Sequence, residues 1–173
     1  QGGKDTLLGG DGEDTLNWRG KIDGNDSLSG GNGGDIAILG TRNTNDTLTA
    51  GQSADGELTV TDNGAVVTID NTVAEVVIDG GQGNDTLIVG NINTVGLRLL
   101  RVNGNGGNDV IDGSTAVKGQ VVLEFNGGIG DDMMTGTADG DIINGDDCDD
   151  VINGGGGNDT INGNDGDGPT TAA

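Results

Sequence analysis

The chain has no histidine, no tyrosine, one cysteine, one proline and two aromatic residues, Trp18 and Phe125, among 173 residues. Without histidine it lacks the side chain that most often moves protons near neutral pH and most often binds transition metals. The single cysteine, Cys148, permits no internal disulfide. Seven scattered Lys and Arg against 29 Asp and Glu leave no basic patch for nucleic acid. Glycine-rich stretches are plentiful, but none ends in Gly-Lys-Ser/Thr, so no phosphate-cradling loop is present. No apolar run approaches the roughly 18 residues of a membrane helix, so no segment reads as a membrane span. Paired carboxylates can do acid/base chemistry, but a glycosidase also needs a concave site with stacking aromatics. The expectation is a protein with no enzymatic activity.

What is abundant is glycine, at 38 residues, and aspartate, at 25 against only four glutamates, with a net charge of −22. A short carboxylate suits a tight turn because it reaches nearby backbone without the extra methylene. Eleven aspartates recur at the repeat position two places before an apolar residue: Asp5, Asp14, Asp26, Asp35, Asp46, Asp85, Asp109, Asp132, Asp141, Asp150 and Asp159. The apolar slots are Leu7, Leu16, Leu28, Ala37, Leu48, Leu87, Ile111, Met134, Ile143, Ile152 and Ile161. The clearest copies follow a Gly-Gly-x-Gly-x-Asp-x-Φ-x frame, where Φ is apolar: Gly9 to Asn17, Gly80 to Ile88 and Gly154 to Asn162. Self-similarity at a fixed period signals a solenoid, whose repeats bury their apolar side chains only by stacking on one another.

The nonapeptide frame resembles the RTX (repeats-in-toxin) family of secreted bacterial proteins. That resemblance implies an all-β parallel β-roll with Ca²⁺ held in the Gly/Asp turns, each site drawing on two repeats a full coil apart. Carried over residue by residue, it implies carboxylate ligands at Asp85, Asp109, Asp132, Asp141, Asp150 and Asp159, with weaker candidates at Asp14, Asp26, Asp35 and Asp46. It also implies carbonyl donors at Gly10, Gly12, Gly81, Gly83, Gly107, Gly128, Gly130, Gly155 and Gly157. Cys148, in the slot of the third glycine, and the Thr137-Ala138-Asp139-Gly140 turn depart from the frame, so their sites are expected to be weakened or lost. Cys148 itself reads as a tolerated turn substitution.

Calcium chemistry suits these residue types. The ion takes six to eight oxygens and accepts carboxylates and carbonyls together, whereas magnesium demands a stricter octahedron and gives up water reluctantly. Glycine at positive φ lets carbonyls turn inward without a Cβ clash. Aspartates capping their own turns would explain one copy of the motif; a ladder of them with little compensating cation calls for bound divalent ions. Without metal, ordering so glycine-rich a backbone is costly and the stacked carboxylates repel, so the chain is expected to be largely unfolded in chelator.

Along the chain, residues 1–49 carry irregular repeats, with insertions such as Trp18-Arg19-Gly20 expected to loop out. Residues 50–126 hold longer β-rich runs, and Asp62-Asn63-Gly64 suits either a hairpin or a corner between solenoid strands. Here Asp85, Asp109 and Asp132 lie 24 and 23 apart, so lengthened coils would place all three on one edge. Residues 127–168 form the regular part, with steps of nine that put Asp132 over Asp150 and Asp141 over Asp159; residues 169–173 are a short tail. The core is expected to be thin, one apolar row per strand layer. The Asn-x-Ser/Thr sequons at Asn25, Asn45, Asn84 and Asn158 follow from the repeat itself and carry little weight for glycosylation.

These features point to a calcium-binding structural protein of the bacterial extracellular space or cell surface: a surface-layer, adhesin or filament element, with head-to-tail self-association as its expected contact. The rival is a calcium-triggered secretion and folding module of a larger secreted enzyme or toxin. A chain opening at Gln1, inside a repeat, suggests a portion of something longer.

Overall fold

The computed structural model describes residues 3–19, 22, 24–41, 44–117, 119–166 and 169–171. In chain order the strands are β1 (Thr6–Asp11), β2 (Thr15–Arg19), β3 (Asn25–Asn32), β4 (Asp35–Gly40), β5 (Thr47–Gln52), β6 (Leu58–Asp62), β7 (Ala65–Ile69), β8 (Val73–Gln82) and β9 (Thr86–Val89). They continue as β10 (Leu99–Gly106), β11 (Val110–Asp112), β12 (Val122–Ile129), β13 (Met133–Thr135), β14 (Ile142–Asp147), β15 (Val151–Asn153), β16 (Thr160–Asn162) and β17 (Thr170–Thr171). No helix occurs among the described residues.

Two sheets face each other. One has ten strands in the order β1-β3-β7-β6-β5-β9-β11-β13-β15-β17, the other seven, β2-β4-β8-β10-β12-β14-β16. Pairing is parallel throughout except for β5 with β6 and β6 with β7. The architecture is the all-β parallel roll that the repeat predicts.

Alternation along each strand builds it. In β12, Leu123 and Phe125 are buried while Val122, Glu124 and Asn126 point outward. The apolar slots stack directly: Leu48, Leu87, Ile111, Met134 and Ile152 form one row on the larger sheet. Ile78, Val102, Phe125, Ile143 and Ile161 form the facing row on the smaller one. Each fully buried side chain of this kind contributes roughly 1.5 to 3 kcal/mol.

The core departs from the thin interior expected. In the middle it is two rows wide on the smaller sheet, because the longer strands add Val76, Leu100 and Leu123 beside the first row. Loop residues Ile92, Leu97 and Val121 are buried as well. In the regular coils each strand contributes a single inward apolar residue, such as Ile143 on β14 or Ile152 on β15.

The Asp62-Asn63-Gly64 segment closes a hairpin. Asn63 (φ 47°) and Gly64 (φ 87°) take the two positive φ values that a type I′ turn requires. From β4 the chain passes over two strand positions to β5, then returns through β6 and β7 to lie beside β3, before crossing to β8 next to β4. Two extra strands are thereby spliced into the larger sheet.

Two further differences follow from pairing. Trp18 and Arg19 do not loop out; they extend β2 against Leu39 and Gly40, with Trp18 packed on the core, and Gly20 lies outside the described residues. Thr170 and Thr171 continue the parallel ladder beyond β15, with Ile152 N–H donating to the Pro169 carbonyl (3.1 Å).

Candidate metal centres

The roll has two turn edges. Where the chain enters the larger sheet stand Asp5, Asp26, Asp46, Asp85, Asp109, Asp132 and Asp150; where it enters the smaller sheet stand Asp14, Asp35, Asp141 and Asp159. On the first edge the hairpin turn interrupts the row between Asp26 and Asp46.

Glycines make these turns possible. In the regular frame the second and fourth positions have positive φ, as at Gly81 (102°) and Gly83 (119°) or Gly128 (114°) and Gly130 (136°). Where other residues replace glycine the backbone is unchanged: Asn105 (74°), Asp146 (72°) and Cys148 (86°) hold the same left-handed conformation. The carbonyls of Gly10, Gly12, Gly83 and Gly107 stand against Gly31, Gly33, Gly107 and Gly130 of the next coil, where a Cβ would collide. Four of the predicted carbonyl donors, Gly10, Gly12, Gly83 and Gly107, therefore lie between stacked turns.

The aspartates lock coil to coil by one repeated bond. The backbone N–H of Asp46 donates to Oδ1 of Asp85 (2.7 Å), Asp85 to Asp109 (2.7 Å), Asp109 to Asp132 (2.7 Å) and Asp132 to Asp150 (3.0 Å). On the other edge Asp14 donates to Asp35 (2.9 Å) and Asp141 to Asp159 (3.0 Å); back on the first edge, beyond the hairpin, Asp5 donates to Asp26 (2.9 Å). The steps of 24, 23 and 18 residues thus converge on single columns, as the spacing requires.

Each carboxylate then has a second oxygen to place. Oδ2 of Asp14, Asp26, Asp35, Asp85, Asp109, Asp132, Asp150 and Asp159 is buried without a hydrogen-bond partner. A buried charged oxygen without a partner is costly, so a cation at this point is the expected compensation. Further oxygens converge there: the point where Gly104 would carry a Cβ is crowded by Asp109 Oδ2 and the Gly127 carbonyl, and the Gly127 point by Asp132 Oδ2 and the Gly145 carbonyl. Among the described residues no three His, Cys, Asp or Glu side chains gather into one metal cage. A cation here would draw on carboxylates and main-chain carbonyls together, the mixed oxygen set that calcium accepts.

Burial pushes the Asp85 carboxyl up to about 6 and the Asp132 carboxyl up to about 7, and neighbouring carboxylates of the row add to both rises. Asp109 and Asp150 are raised as well, again chiefly by burial.

Two predicted ligands differ from the rest. Asp141 Oδ2 accepts the Thr137 N–H (2.6 Å) and hydroxyl (2.9 Å), so the substituted turn satisfies its own carboxylate. Asp46 takes the Thr44 hydroxyl (3.2 Å) and stands at the head of its column, beside the hairpin.

Sequence reasoning missed the first glycine of each frame, whose absent Cβ leaves room for the carboxylate. It also missed a second clasp at the residue before the aspartates of the Asp46 to Asp150 column: Asn84 N–H donates to Asn45 Oδ1 (2.9 Å), Asn108 to Asn84 (3.0 Å), Asp131 to Asn108 (3.2 Å) and Asp149 to Asp131 (3.2 Å). The recurrence of Asn or Asp before the frame aspartate was the available signal.

The sequence matches the family described as RTX calcium-binding nonapeptide repeat (4 copies) over residues 1–17, 76–91, 101–115, 126–161 and 149–167. No curated protein matches the chain.

Proposed function

The chain belongs to the RTX calcium-binding nonapeptide repeat family, and from that premise we propose that it is a calcium-stabilised, non-enzymatic scaffold of the bacterial extracellular space, serving as a surface-layer, adhesin or filament element. The observation that carries this reading is the column of buried, half-satisfied carboxylates at Asp85, Asp109, Asp132 and Asp150, which ties the coils of β9, β11, β13 and β15 in succession. Calcium supplies the positive charge that makes such a column stable. Its ligands in this reading are those four aspartates with Asp14, Asp26, Asp35 and Asp159, helped by carbonyls of the turn glycines; Asp46 and Asp141 hold it less well.

A mechanical role agrees with what the surface offers. Among the described residues, the cleft of about 370 Å³ beside the hairpin turn is lined by one acidic side chain, Asp62, which already accepts the Asn63 amide (2.7 Å), and by no aromatic. Proteins of this family are typically secreted by bacteria, where millimolar calcium can fold what a low-calcium cytoplasm leaves unfolded.

Circular dichroism and electron microscopy with and without chelator test the proposal together. A β signal that appears only with calcium, and rods or fibres in that state, are the expected results. An identical β signal in EDTA would remove the calcium scaffold, and particles that stay monomeric in millimolar calcium would remove the head-to-tail fibre. A catalytic domain on the same gene product would make the roll a secretion and folding module instead.

A further inference from the structure

Eight asparagines of this chain stand directly before a glycine. That dipeptide carries its own chemistry. The main-chain nitrogen of the glycine can attack the side-chain carbonyl carbon of the asparagine, because no side chain on the second residue blocks the approach. The bond from Cγ to the glycine nitrogen forms, the bond from Cγ to Nδ2 breaks, and ammonia leaves with the proton that the glycine nitrogen gives up. Water then opens the cyclic imide at either carbonyl, leaving aspartate or isoaspartate. The net change is amide plus water to carboxylate plus ammonium, with no oxidant or reductant required.

The asparagine must rotate until Cγ meets the next nitrogen, and the fold decides which ones can. Four of the eight form a ladder on the seven-stranded sheet. Asn103 Nδ2 donates to Asp79 Oδ1 (2.7 Å), Asn126 to Asn103 (2.7 Å), Asn144 to Asn126 (2.6 Å) and Asn162 to Asn144 (2.7 Å). Asn32 Nδ2 donates to Asp11 Oδ1 of the preceding coil (2.8 Å). Asn105 and Asn153 lie in strands paired on both sides. For these seven, rotation first breaks contact with a neighbouring coil.

The glycines differ in the same way. A Cβ at Gly33, Gly104, Gly106, Gly127, Gly145 or Gly154 would collide with another coil or with a frame aspartate, whereas Gly64 and Gly163 have nothing within 4 Å. Gly163 follows Asn162, which β16 holds in register with Asn144 of β14. Gly64 follows Asn63, which is exposed and lies in the turn between β6 and β7, outside both strands. The Asn63 amide donates to Asp62 Oδ1 (2.7 Å), its neighbour in the chain, so this bond moves with the turn and ties it to no other coil. Exposed turn tips open at low cost, while paired strands open only with the units that hold them.

We propose that Asn63 is a spontaneous modification site of the folded protein, converted to aspartate and isoaspartate at the hairpin turn, and that the roll keeps the other seven Asn-Gly pairs in the amide form. Either product puts a carboxylate where an amide donated to Asp62.

Peptide mass spectrometry of the whole chain, incubated in calcium at mildly alkaline pH and sampled over time, tests it. Trypsin cleaving after Arg42 and Arg98 releases Asn63 on a peptide that holds no other Asn-Gly pair. In the folded chain Asn63 is expected to convert at least about tenfold faster than any of the other seven, and in denaturant the eight rates are expected to draw together. A folded chain in which Asn63 keeps its amide, or in which any of the other seven converts as fast, overturns the proposal. So does an Asn63 that leads by the same margin in denaturant, since local sequence and not the fold would then make the choice. Circular dichroism of the same samples verifies that they are folded. A β signal insensitive to EDTA would sink the calcium reading alone, leaving the comparison of rates intact.

Discussion

Asp132 shows what one residue of the column must reconcile. Its Oδ1 is held by the Asp109 N–H, its Oδ2 is buried without a partner, and its carboxyl is pushed up to about 7. Asp132→Asn keeps the shape and one acceptor while removing the charge, so the calcium midpoint for folding is expected to move to about tenfold higher concentration. Asp55→Asn, in the exposed turn between β5 and β6, should leave it in place. Isothermal titration or calcium-dependent circular dichroism reads the difference. The same residues set the pH response. Because the folded-state carboxyls of Asp85 and Asp132 titrate near 6 and 7 rather than at the ordinary 3.8, the folded chain holds more protons than the unfolded one across that interval. Metal-free stability is therefore greatest near pH 4 and falls as the pH rises toward 7. Calcium, which competes with those protons, should bind more weakly as the pH drops below about 7. Circular dichroism in chelator at pH 4.5 and 7.5, beside calcium titrations at pH 5.5 and 7.5, checks both halves; a metal-free chain with more β signal at the higher pH would contradict this account of the column.

At the scale of the turn, the first glycine of the frame does the most and was the least legible. A Cβ on Gly127 would collide with the carboxylate of Asp132 and with the Gly145 carbonyl, whereas a Cβ on Gly163 would meet nothing within 4 Å. Gly127→Ala is expected to cost roughly 1 to 3 kcal/mol at fixed calcium and Gly163→Ala less than about 0.5 kcal/mol, measured by denaturant unfolding. Equal losses at the two sites would show that the carboxylate does not need that space. The hairpin offers a separate case, since Gly64 holds a φ of 87° with open space around it. There Gly64→Ala suffers from backbone strain alone, on the order of 1 to 2 kcal/mol. That positive φ was readable from Asn63-Gly64, because a type I′ turn selects those residue types; the space required at Gly127 was not, because the colliding atoms come from five residues onward and from the next coil.

Over the whole molecule, calcium and hydrophobic burial share the work unequally. Residues 73–126 carry the double apolar row and the buried loops, while the regular coils after residue 127 carry one inward apolar residue per strand and depend more on the column. Hydrogen exchange during slow chelation should therefore show the C-terminal coils opening before β8, β10 and β12; simultaneous loss would mean a single cooperative unit held by metal throughout. What the sequence determined by itself was local chemistry and period. An aspartate two places before an apolar residue fixes a turn followed by an inward side chain, and steps of nine, or of 24 and 23, fix which turns share an edge. Those inferences need only the pleat and the turn. The tertiary structure decided the rest: that β5 runs past two strand positions and returns through β6 and β7, that Trp18 stays in its strand, and that Asp141 is satisfied by Thr137. Each of these depends on which distant strands become neighbours, a choice made by packing and hydrogen bonding across the sheets that no local pattern in the chain encodes.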